Sequence, residues 1–385
     1  MKVSKIISLV VLFLSASSIA LSAAQCCPVT APSLREGLMK QPGIVEAQFL
    51  YMKASFPSCH ASTIEETKDY FISAYFGGTG EGNEDVCIWV SRKKKDAKQW
   101  DVPVMAADGI QSPGVAGQSD KAAKRYPCWN PVLYQDKAAN GKFYLFYKVG
   151  PSPDNWWGML KVSDDQGKSW SQGSRLPDGF AGPVRAKPVM LDDGRLLCPS
   201  SNEDKGWRSH MEWTPDFGKT WFKTEPLNDG KAVRSIQPTI LTFKDGRIEI
   251  LTRSKQNKIY KSWSNDGGKT WSELVPSVLP NPNSGIDAVR LKDGRHLLVY
   301  NHSDSRKKLN VAVTEDGESW KAALKLEDLT TIEGNDAYGA YPAAILGSDG
   351  LVHIVYTWKR QRINYVVVDP AKLVLRDMPD GNWPD

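Results

Sequence analysis

No interior stretch of this 385-residue chain keeps a 3.6-residue apolar period, so helix is expected to be scarce. No Cys-x-x-Cys pair and no cluster of its five histidines supplies a transition-metal site, and neither metal nor cofactor is expected. Strong charge of one sign is missing too. With 49 Lys and Arg against 44 Asp and Glu the net charge is +5, too mild to argue for nucleic acid. An apolar run long enough to span a bilayer is also absent: residues 6–14 fall short. That run follows Met1, Lys2 and Lys5 and leads to small residues ending in Ser22 and Ala24, the layout of an export signal. Residues 1–24 are therefore expected to be a signal peptide and 25–385 one mature domain, secreted or periplasmic and monomeric. Cysteines 26, 27, 59, 87, 128 and 198 all fall in that exported part, where disulfides are permitted. Cys87 and Cys198 sit inside apolar strand patterns, which also suits buried free thiols.

What is present is a repeat. Four segments are near copies: Ser163-Asp-Asp-Gln-Gly-Lys-Ser-Trp170, Thr214-Pro-Asp-Phe-Gly-Lys-Thr-Trp221, Ser264-Asn-Asp-Gly-Gly-Lys-Thr-Trp271 and the shorter Thr314-Glu-Asp-Gly-Glu-Ser-Trp320. Their tryptophans advance by 51, 50 and 49 residues, the mark of a repeat architecture. Ahead of the copies lie hairpin turns, Asp193-Gly194, Asp245-Gly246, Asp293-Gly294 and Asp349-Gly350, each between short β-rich runs; Asn140-Gly141 does the same one repeat earlier. Four short strands per repeat make a propeller blade. The spacing gives six, near 58–100, 128–175, 185–226, 235–276, 285–325 and 340–369, with 44–51 closing the last. An all-β, six-bladed β-propeller of four-stranded antiparallel blades is expected. Asp165, Asp216, Asp266 and Asp316 are read as scaffold, since a motif repeated round a ring cannot mark one active site.

Function should lie where the blades differ. The residues opening the inner strands are His60, Asn130, Lys187, Gln237, Asp287 and Tyr341, all polar and all different. The second strands return to the same end at Gly77-Gly78, Lys148, Ser200-Ser201, Arg253, Asn301-His302 and 358–360. Together these describe a polar cup on the axis, made cationic by Lys148, Lys187 and Arg253, with Arg306, Arg360 and Arg362 nearby. Arginine's fork suits a carboxylate. Trp129, Trp156, Trp157, Trp207 and Trp358 lie in or near these loops and suit a carbohydrate or inter-blade packing. Glu203 and Asp204 lie in a loop that rims the cup.

These features resemble the sialidase (neuraminidase) superfamily, whose Asp-box repeats the four copies match, and more closely a bacterial neuraminidase-like subgroup that shares Phe-Gly-Gly-Thr, Tyr-Pro-Cys-Trp-Asn-Pro and Asn-Pro-Asn-Ser-Gly. The resemblance covers essentially all of the mature chain. It implies a nucleophilic Tyr paired with a Glu, an acid/base Asp and three arginines clamping a substrate carboxylate. Tyr341 matches the nucleophile, Arg253 the second arginine and Arg306 the third. The place of the first arginine reads Ser58-Cys59-His60-Ala61, and that of the Glu reads Gln237. Glu81, with Glu84 and Asp85 beside it, occupies roughly the acid/base loop. Asp287 or His60 would have to act as the missing base. Asn130, Lys148, Lys187, Asn301 and Arg360 complete the expected substrate contacts. Three functions follow: an exo-glycosidase on a terminal sialic or uronic acid, a lyase on a uronate glycan using His60 and Tyr341, or an acidic-glycan-binding propeller without turnover.

Overall fold

A computed structural model of the chain describes residues 35–112, 124–137, 141–332 and 338–384. The expected signal peptide, Cys26, Cys27 and Asn140 fall outside the described residues. Six antiparallel sheets follow one another along the chain and form a six-bladed β-propeller. Blade one runs Ser58–Glu66, Tyr70–Gly78, Cys87–Lys94 and Val104–Ala107. Blade two opens with Cys128–Gln135 and Phe143–Val149, blade three with Val189–Met190 and Leu196–Asn202, and blade four with Ser235–Thr242 and Ile248–Ser254. Blade five opens with Asp287–Arg290 and His296–Tyr300 and gains a fifth strand, Arg376–Asp377. Blade six holds Gly339–Leu346, Val352–Trp358 and Arg362–Val368, and its outer strand is Ile44–Phe49 from the other end of the chain. Among the described residues the only α-helix is the four-residue Glu36–Met39, and no helix is long and apolar enough to cross a membrane.

Second strands such as Phe143–Val149 are buried along their whole length, because a blade packs on each face. Between blades one and two, Ile72, Phe143 and Leu145 are fully buried in one cluster. Truncating a residue of this kind, Leu145→Ala for instance, costs about 2–5 kcal/mol. Cys59, Cys87, Cys128 and Cys198 are buried free thiols.

The Asp-box turns are braces. Asp165 accepts from Ser163 Oγ (2.8 Å) and Ser169 N (2.8 Å), while Ser163 Oγ accepts from Gly167 N (2.8 Å). Thr214 with Asp216, Ser264 with Asp266 and Thr314 with Asp316 repeat the pattern. Slight burial works against ionisation, but these bonds outweigh it and hold Asp165 and Asp266 down at about 2. Each turn leans on the preceding blade, Gly167 on Ile72, Gly218 on Leu160 and Gly268 on Leu197. All four carboxylates are consumed in this way, as a scaffold role requires.

Candidate functional site

The inner strands of blades one, two, four and six break register just after they begin, between His60 and Thr63, Trp129 and Val132, Ile236 and Thr239, and Ala340 and Ala343. Such bulges re-aim the residue at the break. At three of them a non-glycine residue takes positive φ: Ala61 (55°), Gln237 (56°) and Tyr341 (56°). By register, Ala61 rather than His60 is the blade-one counterpart of Tyr341, a correction of one residue. Blades three and five have no such break.

Tyr341 is the centre of the site. Its phenol oxygen accepts a hydrogen bond from Arg253 Nη1. The guanidinium carbons of Arg185, Arg306 and Arg253 lie 5.2, 5.4 and 5.5 Å from its ring centroid. Burial would raise the phenol, yet Arg253, Arg306 and Arg185 together overcome it and the net shift is downward from 10. Gln237 Oε1 accepts from the same Arg253 Nη1 at 3.1 Å. A neutral amide thus stands beside Arg253, and its charge is not cancelled there.

Asn283 spaces the two flanking arginines. Its Oδ1 accepts from Arg253 Nε (2.9 Å) and its carbonyl from Arg306 Nη2 (2.8 Å). Arg306 Nη1 donates to Tyr338 Oη at 2.8 Å, and Arg360 stacks 4.8 Å over the Tyr338 ring. Arg360 also pairs with Glu81, which brings the blade-one loop to the cup. The His60 ring lies 4.1 Å from that of Tyr341, tilted by 46°, with Nδ1 3.0 Å from Thr357 Oγ1 and Nε2 3.1 Å from Tyr338 Oη. Burial, then the field of Arg360, Arg306, Arg185 and Arg253, holds His60 well below its ordinary pKa, so it is neutral. Trp207 lies 5.0 Å over Arg253, and burial raises the nearby Glu203 carboxyl.

Tyr341, Arg253, Arg306, Arg360, His60, Gln237 and Glu81 therefore meet in one place, and Asn130 opens blade two at the corresponding bulge. Five expected residues have other duties. Asp85 accepts from Thr79 N and Oγ1, both at 2.8 Å, and closes its own loop. Asp287 accepts from Thr239 Oγ1 and Ala344 N, both at 2.9 Å, bracing three inner strands. Lys187 donates to Leu133 O (3.2 Å) and pairs with Glu65 (3.5 Å). No bulge turns Asp287 or Lys187 toward the cup. Lys148 is fully buried, donates to Pro183 O, and is lowered by burial to about 7. Asn301 Nδ2 donates to Lys308 O and Gly339 O, both at 2.8 Å. Trp129 and Trp358 pack against Phe76 and Phe49.

Arg185 and Tyr338 went unnoticed in the sequence. Arg185 precedes the inner strand of blade three by four residues and reaches across the channel to Pro342 O. Its Nε and Nη1 are buried without a hydrogen-bond partner among the described residues. Among those residues no group of three or more His, Cys, Asp or Glu is placed to hold a metal. A cavity of about 730 Å³ lies elsewhere, against blade two, lined by Tyr126, Trp157 and Lys161.

Residues 69–354 match the BNR repeat-like domain, and the chain belongs to that family, within the sialidase/BNR-repeat superfamily. A stretch of 146 residues, 34% of the chain, is 33% identical to an anhydrosialidase of Macrobdella decora, of whose length it covers 19%. Among solved structures, a protein of unknown function from Dyadobacter fermentans superposes with a TM-score of 0.68 at 18% identity, covering 87% of this chain and 99% of that one. The NanB sialidase of Streptococcus pneumoniae gives 0.65 at 13% identity, over 85% of this chain and 71% of that one.

Proposed function

We propose that the chain is an exported exo-glycosidase of the sialidase type, releasing a terminal acidic sugar, sialic or uronic, from a glycan. One observation carries this reading: a phenol, Tyr341, aimed into the cup by a bulge and ringed by Arg185, Arg253 and Arg306. Cations serve twice. They attract the sugar's carboxylate, and they stabilise Tyr341 as a phenolate nucleophile while screening it from that carboxylate. The missing Glu is answered electrostatically: Gln237 leaves the charge of Arg253 uncompensated, and that charge takes over the base's task of favouring ionisation. Arg253 and Arg306 are the carboxylate clamp, Arg360 stands behind them, and a rim carboxylate protonates the departing oxygen. His60, with both nitrogens engaged, supports the Tyr341 ring, which removes the imidazole as a base for the lyase reading.

The test is product analysis by mass on sialylated and uronate-terminated glycans. Free acidic sugar is expected, and Tyr341→Phe should lower its release by more than roughly 10³-fold with the fold intact. Unchanged turnover in that variant removes the tyrosine from the chemistry. An unsaturated product indicates elimination, and tight binding without product indicates a lectin-like propeller.

A further inference from the structure

We infer that Glu203, on the rim beside blades two and three, is the acid that protonates the leaving oxygen, an assignment that rests on the glycosidase reading above. Strand Leu196–Asn202 ends at the cup, and an isolated bridge between Asp204 and Gly206 ties the turn that follows. That turn delivers two side chains to the same arginine: Trp207 stacks on Arg253, and the half-buried Glu203 lies within its field. Arg253 in turn holds the Tyr341 phenol. Glu203 thus shares the field of the arginine that holds the nucleophile.

The same carboxyl lines a cavity of about 240 Å³ shared with Trp156, Asp154, Asn202 and Phe180. Trp156 offers an apolar ring face, while Asp154 and Asn202 offer polar atoms, the mixture that holds a sugar ring. Trp156 packs 6.1 Å from Trp129 of the inner strand, so the cavity adjoins the cup. A glycan whose acidic end sits on the arginines would run its next unit into this cavity, past Glu203.

The two rim carboxylates are in opposite settings. Glu81 is paired with Arg360 and is spent on positioning that arginine. Glu203 makes no hydrogen bond or ion pair among the described residues. The charged groups that act on it are the cations Arg253 and Lys255 and the carboxylates Asp154 and Glu81. Burial is the largest influence and raises its pKa, with the cations opposing and the carboxylates adding. A carboxyl that burial favours in its neutral form can serve as a proton donor.

The step balances. Tyr341 phenolate forms a bond to the anomeric carbon as the bond to the leaving oxygen breaks; that oxygen keeps the pair and takes the Glu203 proton. Water then attacks the anomeric carbon, gives its proton to the Glu203 carboxylate, and the tyrosyl oxygen departs with its electrons.

The experiment compares kcat/KM of wild type, Glu203→Gln and Glu81→Gln on two sialosides, sialyl-lactose and the 4-methylumbelliferyl aryl glycoside, and on the glucuronosyl counterparts. The aryl leaving group is acidic and needs little protonation. Glu203→Gln is expected to lose about 100-fold or more on the sugar-linked substrate and less than about tenfold on the aryl one. The fall of its kcat/KM at high pH should also vanish. Equal loss on both substrates, no loss, or the selective loss appearing in Glu81→Gln instead overturns the assignment. A wild-type chain that cleaves none of the four substrates removes the proposed function, and the role of Glu203 with it.

Discussion

Gly285 leaves the space that Arg185 occupies. A β-carbon at Gly285 would come within 2.6 Å of Arg185 Nε and 3.3 Å of Tyr341 Cδ2. The glycine is there for clearance, not for an unusual backbone angle. It closes the Asn281-Pro-Asn-Ser-Gly segment whose Asn283 spaces Arg253 and Arg306, so one short loop sets three arginines around one phenol.

Gly285→Ala is therefore expected to fold but to displace Arg185, with a stability cost of about 1–3 kcal/mol. Its kcat/KM should fall further than that cost explains once activity is referred to folded protein. Thermal unfolding and kinetics on one preparation check this, and unchanged kinetics would show that Arg185 tolerates displacement.

Arg185 also bears on pH. It lowers the Tyr341 phenol together with Arg253 and Arg306, against the upward push of burial. Its removal raises the phenol, so the acidic limb of kcat/KM, where Tyr341 loses its proton, should move to higher pH in Arg185→Met. Arg185→Lys, which keeps the charge, should move it less. A limb that stays put in both variants would contradict the electrostatic role.

Gln237→Glu restores the carboxylate that the superfamily resemblance leads one to expect, and it should weaken anion binding. The new charge would sit against Arg253, which Gln237 now meets at 3.1 Å as a neutral amide. Affinity for free N-acetylneuraminic acid or glucuronic acid should drop by roughly tenfold or more, measured by calorimetry. Equal affinity in the two proteins would mean that Arg253 does not hold the ligand's carboxylate.

The Asp-box carboxylates predict an acid weakness unconnected with turnover. Asp165 and Asp266 lie at about 2 in the folded chain, below about 3.9 for an unfolded Asp. A depressed carboxyl stabilises above the unfolded value, and that contribution is lost as pH falls through the folded one. The unfolding temperature should therefore drop between about pH 4 and pH 2, and less steeply in Asp165→Asn combined with Asp266→Asn. Activity per folded molecule should be unchanged in that double variant.

The six blades could be read from the sequence because the Asp-box turns are local: a hydroxyl, a carboxylate and a glycine within a few residues satisfy one another, and spacing does the counting. Tyr341, Arg253 and Arg306 were legible through motif resemblance. Ala61 was not, since a bulge adds a residue to one strand without altering its apolar pattern, and so His60 was set in the ring position. Lys148 illustrates a different limit. It holds the same register position in blade two, opposite Trp129, that Arg253 holds in blade four, opposite Ile236. Yet one turns to a backbone carbonyl between blades and the other to the axis. Side-chain direction at a strand end depends on neighbours far away in sequence, which also explains why Arg185, contacting Pro342 157 positions later, left no local trace.

The pairing of Ile44–Phe49 with Arg362–Val368 has a consequence in time. A ribosome delivers the first four strands of each of blades one to five before Tyr341 is made, and the outer strand of blade six must wait, unpaired, through most of synthesis. His60 and Glu81 of the first blade likewise wait for Tyr341 and Arg360 of the last. The cup thus cannot come into being before blade six has been made, and no nascent fragment that stops short of that blade can contain a working one.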